Sequence, residues 1–115
     1  MTHGDSRKLV ALIGLGIRGR GAIVGVQQVR EAARRGKLQL AIAAPDASTN
    51  SLNKVLPMLR ARGVVVLEGP SSSELGSMAG REATAVIGIV DRGLAKGIRA
   101  LGLTALPGGR EEGLG

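Results

Sequence analysis

The chain has 115 residues and contains no phenylalanine, tyrosine or tryptophan, so leucine, isoleucine, valine, alanine and methionine must fill its core. Small side chains allow neighbouring elements to approach closely, which favours thin layers of helix packed on sheet. The length is that of one domain with a single modest core. The lack of aromatic rings also removes the platforms on which single-stranded nucleic acids stack, and this argues against RRM and OB-fold binders.

Positive charge is concentrated in the first third of the chain. The formal net charge is +7, and the isoelectric point is near 11.3. Between residues 7 and 37 one acid, Glu31, stands among eight basic residues, whereas the other basic and acidic residues balance. The eight are Arg7, Lys8, Arg18, Arg20, Arg30, Arg34, Arg35 and Lys37. This segment indicates a polyanionic partner, and the alternative is a basic surface that only aids solubility.

Residue types that carry enzyme chemistry are scarce. Cysteine is absent, and the single histidine, His3, lies close to the N-terminus, where a metal site is not expected. The serines at 71–73 have no histidine nearby to act as a base, and Glu111 and Glu112 fall in a tail. We therefore predict a protein that is not an enzyme and that has no catalytic residues, metal or cofactor.

The sequence shows no membrane or export signal. No apolar run approaches the roughly twenty residues that cross a bilayer. The N-terminus does not have the layout of a signal peptide, because Asp5, Arg7 and Lys8 precede a short mixed segment. The lack of cysteine fits a reducing compartment. We predict a cytoplasmic protein with no membrane partner.

The first apolar segment has two interpretations. Leu9, Leu12, Ile13 and Ile17 share one helical face, with Ser6 as a possible cap, but residues 9–13 also read as a strand. The glycines that follow, up to residue 21, predict a loop, and residues 22–24 predict a short extended piece. A second helix is expected from residue 25, with Val26, Val29 and Ala33 buried and Gly36 as its stop.

Strands and helices then alternate to the end of the domain. Strands are expected at 38–43, 64–67 and 85–90, and helices follow each of them. The expected caps are Asp46 or Ser48, then Ser72 or Ser73, and finally Asp91. Pro57 predicts a kink, or a helix that ends early and restarts. This order predicts a three-layer α/β/α sandwich with a small mixed sheet of about four strands, over residues 6–102, before a disordered tail at 103–115.

Residues 14–19, Gly-Leu-Gly-Ile-Arg-Gly, match the G-x-G-x-x-G pattern of dinucleotide-binding proteins. That fingerprint requires a preceding strand, a helix that begins within the motif and an acidic residue about twenty positions later. Residues 36–39 contain no acid at that distance, although Arg34 and Arg35 would suit a 2′-phosphate. Dinucleotide binding is therefore a minor alternative.

Residues 25–37 are the most informative segment for function. Gly25 opens a helix, glutamines occupy its first turn, and Arg-Arg-Gly-Lys closes it. The exposed N–H groups of a helix N-terminus favour phosphate, especially beside arginines. We expect Arg18 and Arg20 to lie beside Gly25 and contact phosphate as well, and the alternative is that they form a solvated turn.

Five segments together resemble a known family. They are residues 12–18, 25–37, 41–50 (Ala-Ile-Ala-Ala-Pro-Asp-Ala-Ser-Thr-Asn), 74–81 (Glu-Leu-Gly-Ser-Met-Ala-Gly-Arg) and 90–96. In this order they resemble the ribosomal protein superfamily of the seven-Ae, L30e and Gadd45 type, and within it the bacterial YlxQ-type proteins. The resemblance covers roughly residues 9–101. It implies an α/β/α sandwich that binds kink-turn or related structured RNA, ribosomal RNA included.

The resemblance also implies an RNA contact at the start of the second helix, with the pattern Gly-x-Asn-Glu-x-x-Lys. Gly25 matches the glycine, Gln27 and Gln28 take the amide and acid positions, and Glu31 reverses the charge of the lysine. A loop before Leu75 is a second expected contact. The predicted RNA-binding residues are Arg18, Arg20, Gly25, Val26, Gln27, Gln28, Arg30, Arg34, Lys37, Gly69, Pro70 and Ser71.

Two functions therefore remain open. The first is binding of folded RNA by phosphate neutralisation and a few side-chain contacts. The second is an adaptor that kept the fold, lost kink-turn recognition and binds proteins, ribosomal proteins among them. Glu31 favours the adaptor, whereas the basic segment favours RNA.

Overall fold

The computed structural model describes residues 3–106, with side chains from Arg7 onward. Helices and strands alternate along this range. The helices are α1 (His3–Arg18), α2 (Val26–Arg34), α3 (Thr49–Asn53), α4 (Leu56–Ala61), α5 (Ser72–Met78) and α6 (Arg92–Arg99). The strands are β1 (Ala22–Val24), β2 (Leu40–Ala43), β3 (Val66–Glu68) and β4 (Val86–Ile89). None of the helices in this range is both long and apolar enough to cross a membrane.

The four strands form one mixed sheet in the order β1-β4-β2-β3. β4 runs antiparallel to both of its neighbours, β1 and β2, whereas β3 runs parallel to β2. Helices α1, α5 and α6 contribute to the core on one face, and α2 and α4 contribute to the core on the other. The predicted three-layer α/β/α sandwich with a four-stranded mixed sheet is confirmed.

The alternation of side chains along β2 divides the core into two layers. Leu40 and Ile42 face α1, α5 and α6, while Ala41 and Ala43 face α2 and α4. All four are fully buried. Alanine, with its small side chain, lets the helices of the second layer approach the sheet closely, as the aliphatic composition predicts.

The first segment is a helix, which settles the choice between helix and strand. The predicted start at Ser6 and the predicted loop through Gly14 and Gly16 are both wrong, because α1 runs from His3 to Arg18. Gly16 is needed for packing: a Cβ there would overlap the Leu94 side chain and lie 3.0 Å from the Cβ of Ala22. The absence of a side chain at Gly16 thus lets α1 press against β1 and α6.

The helical conformation of α1 also contradicts the dinucleotide interpretation. The fingerprint needs a strand before its first glycine and a helix that begins within the motif. Here the residues before Gly14 are helical, and the same helix continues through Gly16 and ends before Gly19. From His3 to these glycines, the described residues therefore include no strand.

Most predicted helix boundaries agree with the structure. Ser48 caps α3 and Asp91 caps α6, each by accepting a hydrogen bond from a backbone N–H. Gly36 follows α2 with a positive φ of 69°. Pro57 lies in the first turn of α4, so the chain ends one helix and restarts another, where a missing N–H costs nothing.

Two predicted boundaries differ from the structure. Ser71, not Ser72 or Ser73, caps α5, because its hydroxyl accepts from the Glu74 N–H while the Glu74 side chain accepts from the Ser71 N–H. Beyond α6, Thr104 and Leu106 hydrogen-bond to β3, and Ala105 forms a bridge with Leu67. The fold thus extends past residue 102, and residues 107–115 of the predicted tail lie outside the described residues.

Helix α1 ends in a Schellman motif with an unusual residue. The Gly21 N–H donates to Gly16 O at 2.7 Å and the Arg20 N–H donates to Ile17 O at 3.3 Å. Arg20 occupies the left-handed position with φ 64°, which glycine normally takes. An arginine there costs conformational energy, because its Cβ is crowded by the backbone.

Alanine substitutions at two neighbouring glycines of α1 should have opposite effects. Gly14→Ala should raise the free energy of unfolding by about 0.8–1 kcal/mol, since a Cβ there would meet only Arg18 Nη1 at 3.6 Å. Gly16→Ala should lower it by about 1–3 kcal/mol through overpacking against Leu94 and Ala22. Chemical denaturation measures both, and stabilisation by Gly16→Ala would contradict the packing assigned to α1.

Replacement of Arg20 by glycine should stabilise the fold. Relief of the left-handed strain is worth about 1–2 kcal/mol and the flexibility of glycine costs about 0.5–1 kcal/mol, so a net gain of about 0.5–1 kcal/mol is expected. Arg18→Gly is the matched control, because Arg18 lies in the last turn of α1 and should lose about 1 kcal/mol. If both variants are destabilised equally in urea unfolding, Arg20 is not strained.

Candidate nucleic-acid interface

The two ends of the sheet carry different groups. At one end of the sheet, which we call the upper end, β1, β2 and β3 finish and β4 begins. The residues there are Val24, Ala43, Glu68 and Val86. The lower end is the opposite edge, where β1, β2 and β3 begin and β4 finishes, at Ala22, Leu40, Val66 and Ile89. The start of α2 lies at the upper end, because Gly25 directly follows β1.

Gly25 links β1 to α2 in a conformation that suits glycine alone. Its φ is 97° and its ψ is 158°, a region that side chains essentially exclude. Its N–H donates to Val86 O at 2.9 Å, and its carbonyl accepts the first helical hydrogen bond, from the Val29 N–H, at 3.0 Å. Gly25 therefore continues the sheet and begins the helix within a single residue.

The first turn of α2 presents its N–H groups without a side-chain cap from the described residues, and without an acid in that turn. Helix α5, on the other face of the sheet, differs because Ser71 and Glu74 form a capping box at its start. Gln27 and Gln28 are exposed, whereas Val26 is half-buried and packs on the second core layer. An uncapped helix start carries a partial positive charge that attracts anions.

Arg81 lies at this helix start and was missed by the sequence analysis. Its Nη1 atom is 3.3 Å from the point where a Cβ on Gly25 would be. Gly80 takes the left-handed position at the end of α5, with φ 71°, and the Arg81 N–H donates to Gly76 O at 2.8 Å. A Gly-Arg pair after a helix is the sequence signal, since glycine ends the helix and fixes the direction of the next residue.

The loop that contains Arg81 rests directly on α5. A Cβ on Gly76 would overlap the backbone of Ala83, so the glycine allows the loop to cross the helix. The Thr84 N–H donates to Ser72 O at 3.0 Å, and Thr84 is buried. These contacts fix the loop between α5 and β4 beside Gly25.

Gly69 and Pro70, predicted as RNA contacts, are buried. A Cβ on Gly69 would overlap the side chain of Ile42, and the Gly69 N–H donates to Ala43 O at 2.9 Å. Ser71 is half-buried and its hydroxyl caps α5. The three residues thus hold the turn from β3 to α5, and an RNA contact at this loop stays a prediction.

Glu31, the acid at the family lysine position, is paired within its own helix. Its Oε1 lies 2.9 Å from Arg34 Nη1, and its Oε2 lies 3.0 Å from Arg35 Nε. Both pairs are about half exposed, so each contributes little to stability. They nevertheless hold the carboxylate toward the C-terminal end of α2 and offset its charge.

Arg30 is half-buried, and its Nε atom is buried with no hydrogen-bond partner among the described residues. A buried donor without a partner is unfavourable, because it has lost its hydration. Arg30 lies on the same helix as Gln27, about one turn further along. Arg30 therefore remains a predicted contact at the edge of the helix start.

Arg18, Arg20 and Lys37 do not lie beside Gly25. Arg18 and Arg20 precede β1, and Lys37 precedes β2, so all three are at the lower end of the sheet. Helix α2 runs toward the same end, and Arg34 lies in its last turn. The predicted proximity of Arg18 and Arg20 to Gly25 is wrong, because β1 lies between them and Gly25.

A shallow polar cleft of about 230 Å³ opens at the upper end, between Asp46 and the serines of α3 and α5. Asp46 Oδ1 accepts from the Ser72 N–H at 2.7 Å, which ties the segment after β2 to α5. The described residues contain no group of three or more histidine, cysteine or acidic side chains that could hold a metal ion. Some of the hydrogen-bonding groups of the cleft are therefore already paired with each other.

Comparisons with known proteins agree with this architecture. The profile of the Ribosomal protein L7Ae/L30e/S12e/Gadd45 family matches residues 12–98. The RNA-binding protein YlxQ of Enterococcus faecium is 34% identical over 101 residues, which make up 88% of this chain and 97% of that protein.

Two solved structures share the fold. A protein of unknown function from Bacillus halodurans superposes with a TM-score of 0.73 at 29% identity, over 84% of this chain and 96% of that one. The Giardia lamblia 15.5kD RNA binding protein superposes with a TM-score of 0.70 at 23% identity, over 88% of this chain and 87% of that one. Because the family profile spans most of the residues and the Enterococcus relative aligns along nearly its whole length, the chain belongs to the ribosomal protein L7Ae/L30e/S12e/Gadd45 family.

Proposed function

We propose that this protein binds structured RNA of the kink-turn type, ribosomal RNA included, without catalysing a reaction. The observation that carries the proposal is the start of α2, where Gly25 opens the helix, the described residues supply no side-chain cap, and Arg81 lies alongside. Membership of the family and the similarity to an RNA-binding protein of Enterococcus faecium support it. In this proposal the protein acts in the cytoplasm, where ribosomal RNA is used.

Each group at the helix start has a distinct part in the proposed interface. The N–H groups of the first turn hold a phosphate, as helix N-termini do. Arg81 adds a planar fork of donors that suits phosphate oxygens. The exposed Gln27 and Gln28 side chains have both donors and an acceptor, so they can hydrogen-bond to base edges.

Glu31 does not oppose a phosphate at this position as strongly as its charge suggests. Arg34 and Arg35 each pair with its carboxylate, so the three side chains together carry a net positive charge. The pairs also hold the carboxylate toward the far end of α2. In the proposed contact, Arg81 therefore supplies the positive charge that the family pattern places on a lysine at the position of Glu31.

The second candidate function is a protein-binding adaptor, for example on ribosomal proteins. The acidic side chains Asp46, Glu74 and Glu82 are exposed and belong to segments at the upper end of the sheet. They weaken the local positive potential that RNA requires, and this observation favours a protein partner. A partner bound there through apolar contacts would show little dependence on salt.

Substitution of both glutamines should remove the preference for kinked RNA. Gln27→Ala with Gln28→Ala should reduce the ratio of kink-turn to straight-duplex affinity by about 1–3 kcal/mol, since base-edge contacts carry discrimination. Titration of both RNAs at several salt concentrations measures that ratio. Thr49→Ala with Asn50→Ala is a control, because these exposed residues of α3 also lie on a helix start. Equal affinity of the native protein for both RNAs would contradict the proposal.

Removal of the charge at Arg81 should weaken binding uniformly. Arg81→Gln should lower the magnitude of the slope of log K against log salt by about one, as expected for the loss of one phosphate contact. Lys8→Gln removes the same charge from the exposed surface of α1 and should leave the slope on kink-turn RNA unchanged. If the two variants have equal slopes, Arg81 is not at the interface.

A further inference from the structure

The four chain segments at the lower end of the sheet lie side by side. Gly21 O accepts from the N–H groups of Val90 and Asp91, at 2.8 and 3.2 Å. The Gln39 N–H donates to Ile89 O at 2.7 Å, and the Ala41 N–H donates to Val65 O at 3.0 Å. These bonds join the turns before β1, β2 and β3 to the end of β4 in one continuous surface, about 15 Å across at the usual strand spacing.

This lower surface is strongly basic. Its exposed basic residues are Arg18, Arg20, Arg34, Arg35, Lys37, Arg92 and Arg99, and Arg99 Nη2 donates to Gln39 O at 3.0 Å. Arg62, at the end of α4, extends the surface beside β3. Two acids adjoin it: Glu31, which pairs with Arg34 and Arg35, and Asp91, which caps α6. Most of the net charge of the chain is therefore at the end of the sheet opposite the helix start.

The backbone conformation of Arg20 independently indicates that the basic lower surface has a function. It takes the left-handed position after α1, with φ 64°, although glycine would relieve the strain. Backbone strain at an exposed residue points to a role outside stability. The neighbouring left-handed positions at Gly36 and Gly63, which lead into β2 and β3, are glycines.

The chemistry of the lower surface suits backbone phosphates. Six of the seven side chains are arginines, whose forked donors bind phosphate in pairs. The chain has no phenylalanine, tyrosine or tryptophan for base stacking, so a duplex or folded backbone fits better than a single strand. The surface is separated from Gly25 by the length of α2, whose nine residues span about 13 Å.

We propose that the lower surface binds the phosphate backbone of a second RNA segment, so that the protein bridges two parts of a folded RNA. The inference rests on the proposed function, which assigns the first segment to the start of α2. The upper contact then supplies recognition, and the lower contact supplies sequence-independent affinity. The bridge joins segments on opposite ends of the sheet.

The experiment compares three sets of substitutions in the full chain. The lower set is Arg18→Gln, Arg20→Gln and Lys37→Gln. The charge-matched control is Arg7→Gln, Lys8→Gln and Lys54→Gln, which are exposed residues on α1 and at the end of α3. The upper set is Gln27→Ala with Gln28→Ala. Each protein is titrated with a kink-turn RNA and a straight RNA duplex over a salt series, and the two labelled RNAs are mixed with protein to detect a ternary complex by energy transfer.

The lower set should reduce the salt slope for the straight duplex by about three and abolish the ternary complex, while the preference for kinked RNA remains. The control should retain the ternary complex. Equal losses in the control and the lower set would overturn the proposal, because net charge alone would then explain binding. A ternary complex that survives the lower set would overturn it as well.

Failure of the proposed function gives a different result. If the upper set leaves the affinity ratio unchanged while the lower set still reduces the duplex slope, then the start of α2 is not the recognition site, although the basic surface binds RNA. Thermal unfolding of each variant shows that the fold is intact. The titration with the straight duplex thus tests the lower surface independently of kink-turn recognition.

Discussion

The central position of β4, antiparallel to both β1 and β2, determines the rest of the architecture. Because β4 begins where its neighbours end, the loop that leads into it must lie beside the start of α2. The hydrogen bond from the Gly25 N–H to Val86 O joins the two directly. The same pairing places the end of β4 against the turns before β1 and β2, at the opposite edge. One strand thus fixes both surfaces.

In the proposed account, the groups that recognise RNA and most of the positive charge lie at different ends of the sheet. The upper end offers a helix start, two exposed glutamines and Arg81, among several carboxylates. The lower end holds seven of the twelve arginines, Arg62 and Arg99 included, and the carboxylate of Glu31 is paired with Arg34 and Arg35. Phosphate contacts give affinity and orientation, whereas a few polar groups at a shaped site give selectivity. In the proposed account the two tasks belong to different ends of one small sheet.

Local sequence patterns predicted the layers and most elements, because burial follows hydrophobic period. The alternation in residues 38–43 and the caps at Ser48 and Asp91 depend only on neighbouring residues, and they agree with the structure. Gly14 and Gly16 misled the prediction, since glycine signals a loop in isolation. Here Gly16 serves a contact with Leu94, far along the chain, and tertiary packing overrides its low helix propensity.

The site was less predictable than the fold because its members come from distant segments. Gly25 was identified from its own helix, but Arg81 reaches it only through the pairing of β1 with β4. The same pairing moves Arg18 and Arg20 away from Gly25, although they are close in sequence. Gly69 and Pro70 have loop-like composition, yet the parallel pairing of β3 with β2 buries them.

The central claim is that the first turn of α2 and the adjoining loop hold RNA. The most direct measurement is the amide chemical shifts of the labelled protein during titration with kink-turn RNA. The largest changes are expected at residues 26–29 and 81–83, with smaller changes on the surface formed by residues 18–21 and 35–39. Changes confined to the lower residues, or absent at 26–29, would contradict it.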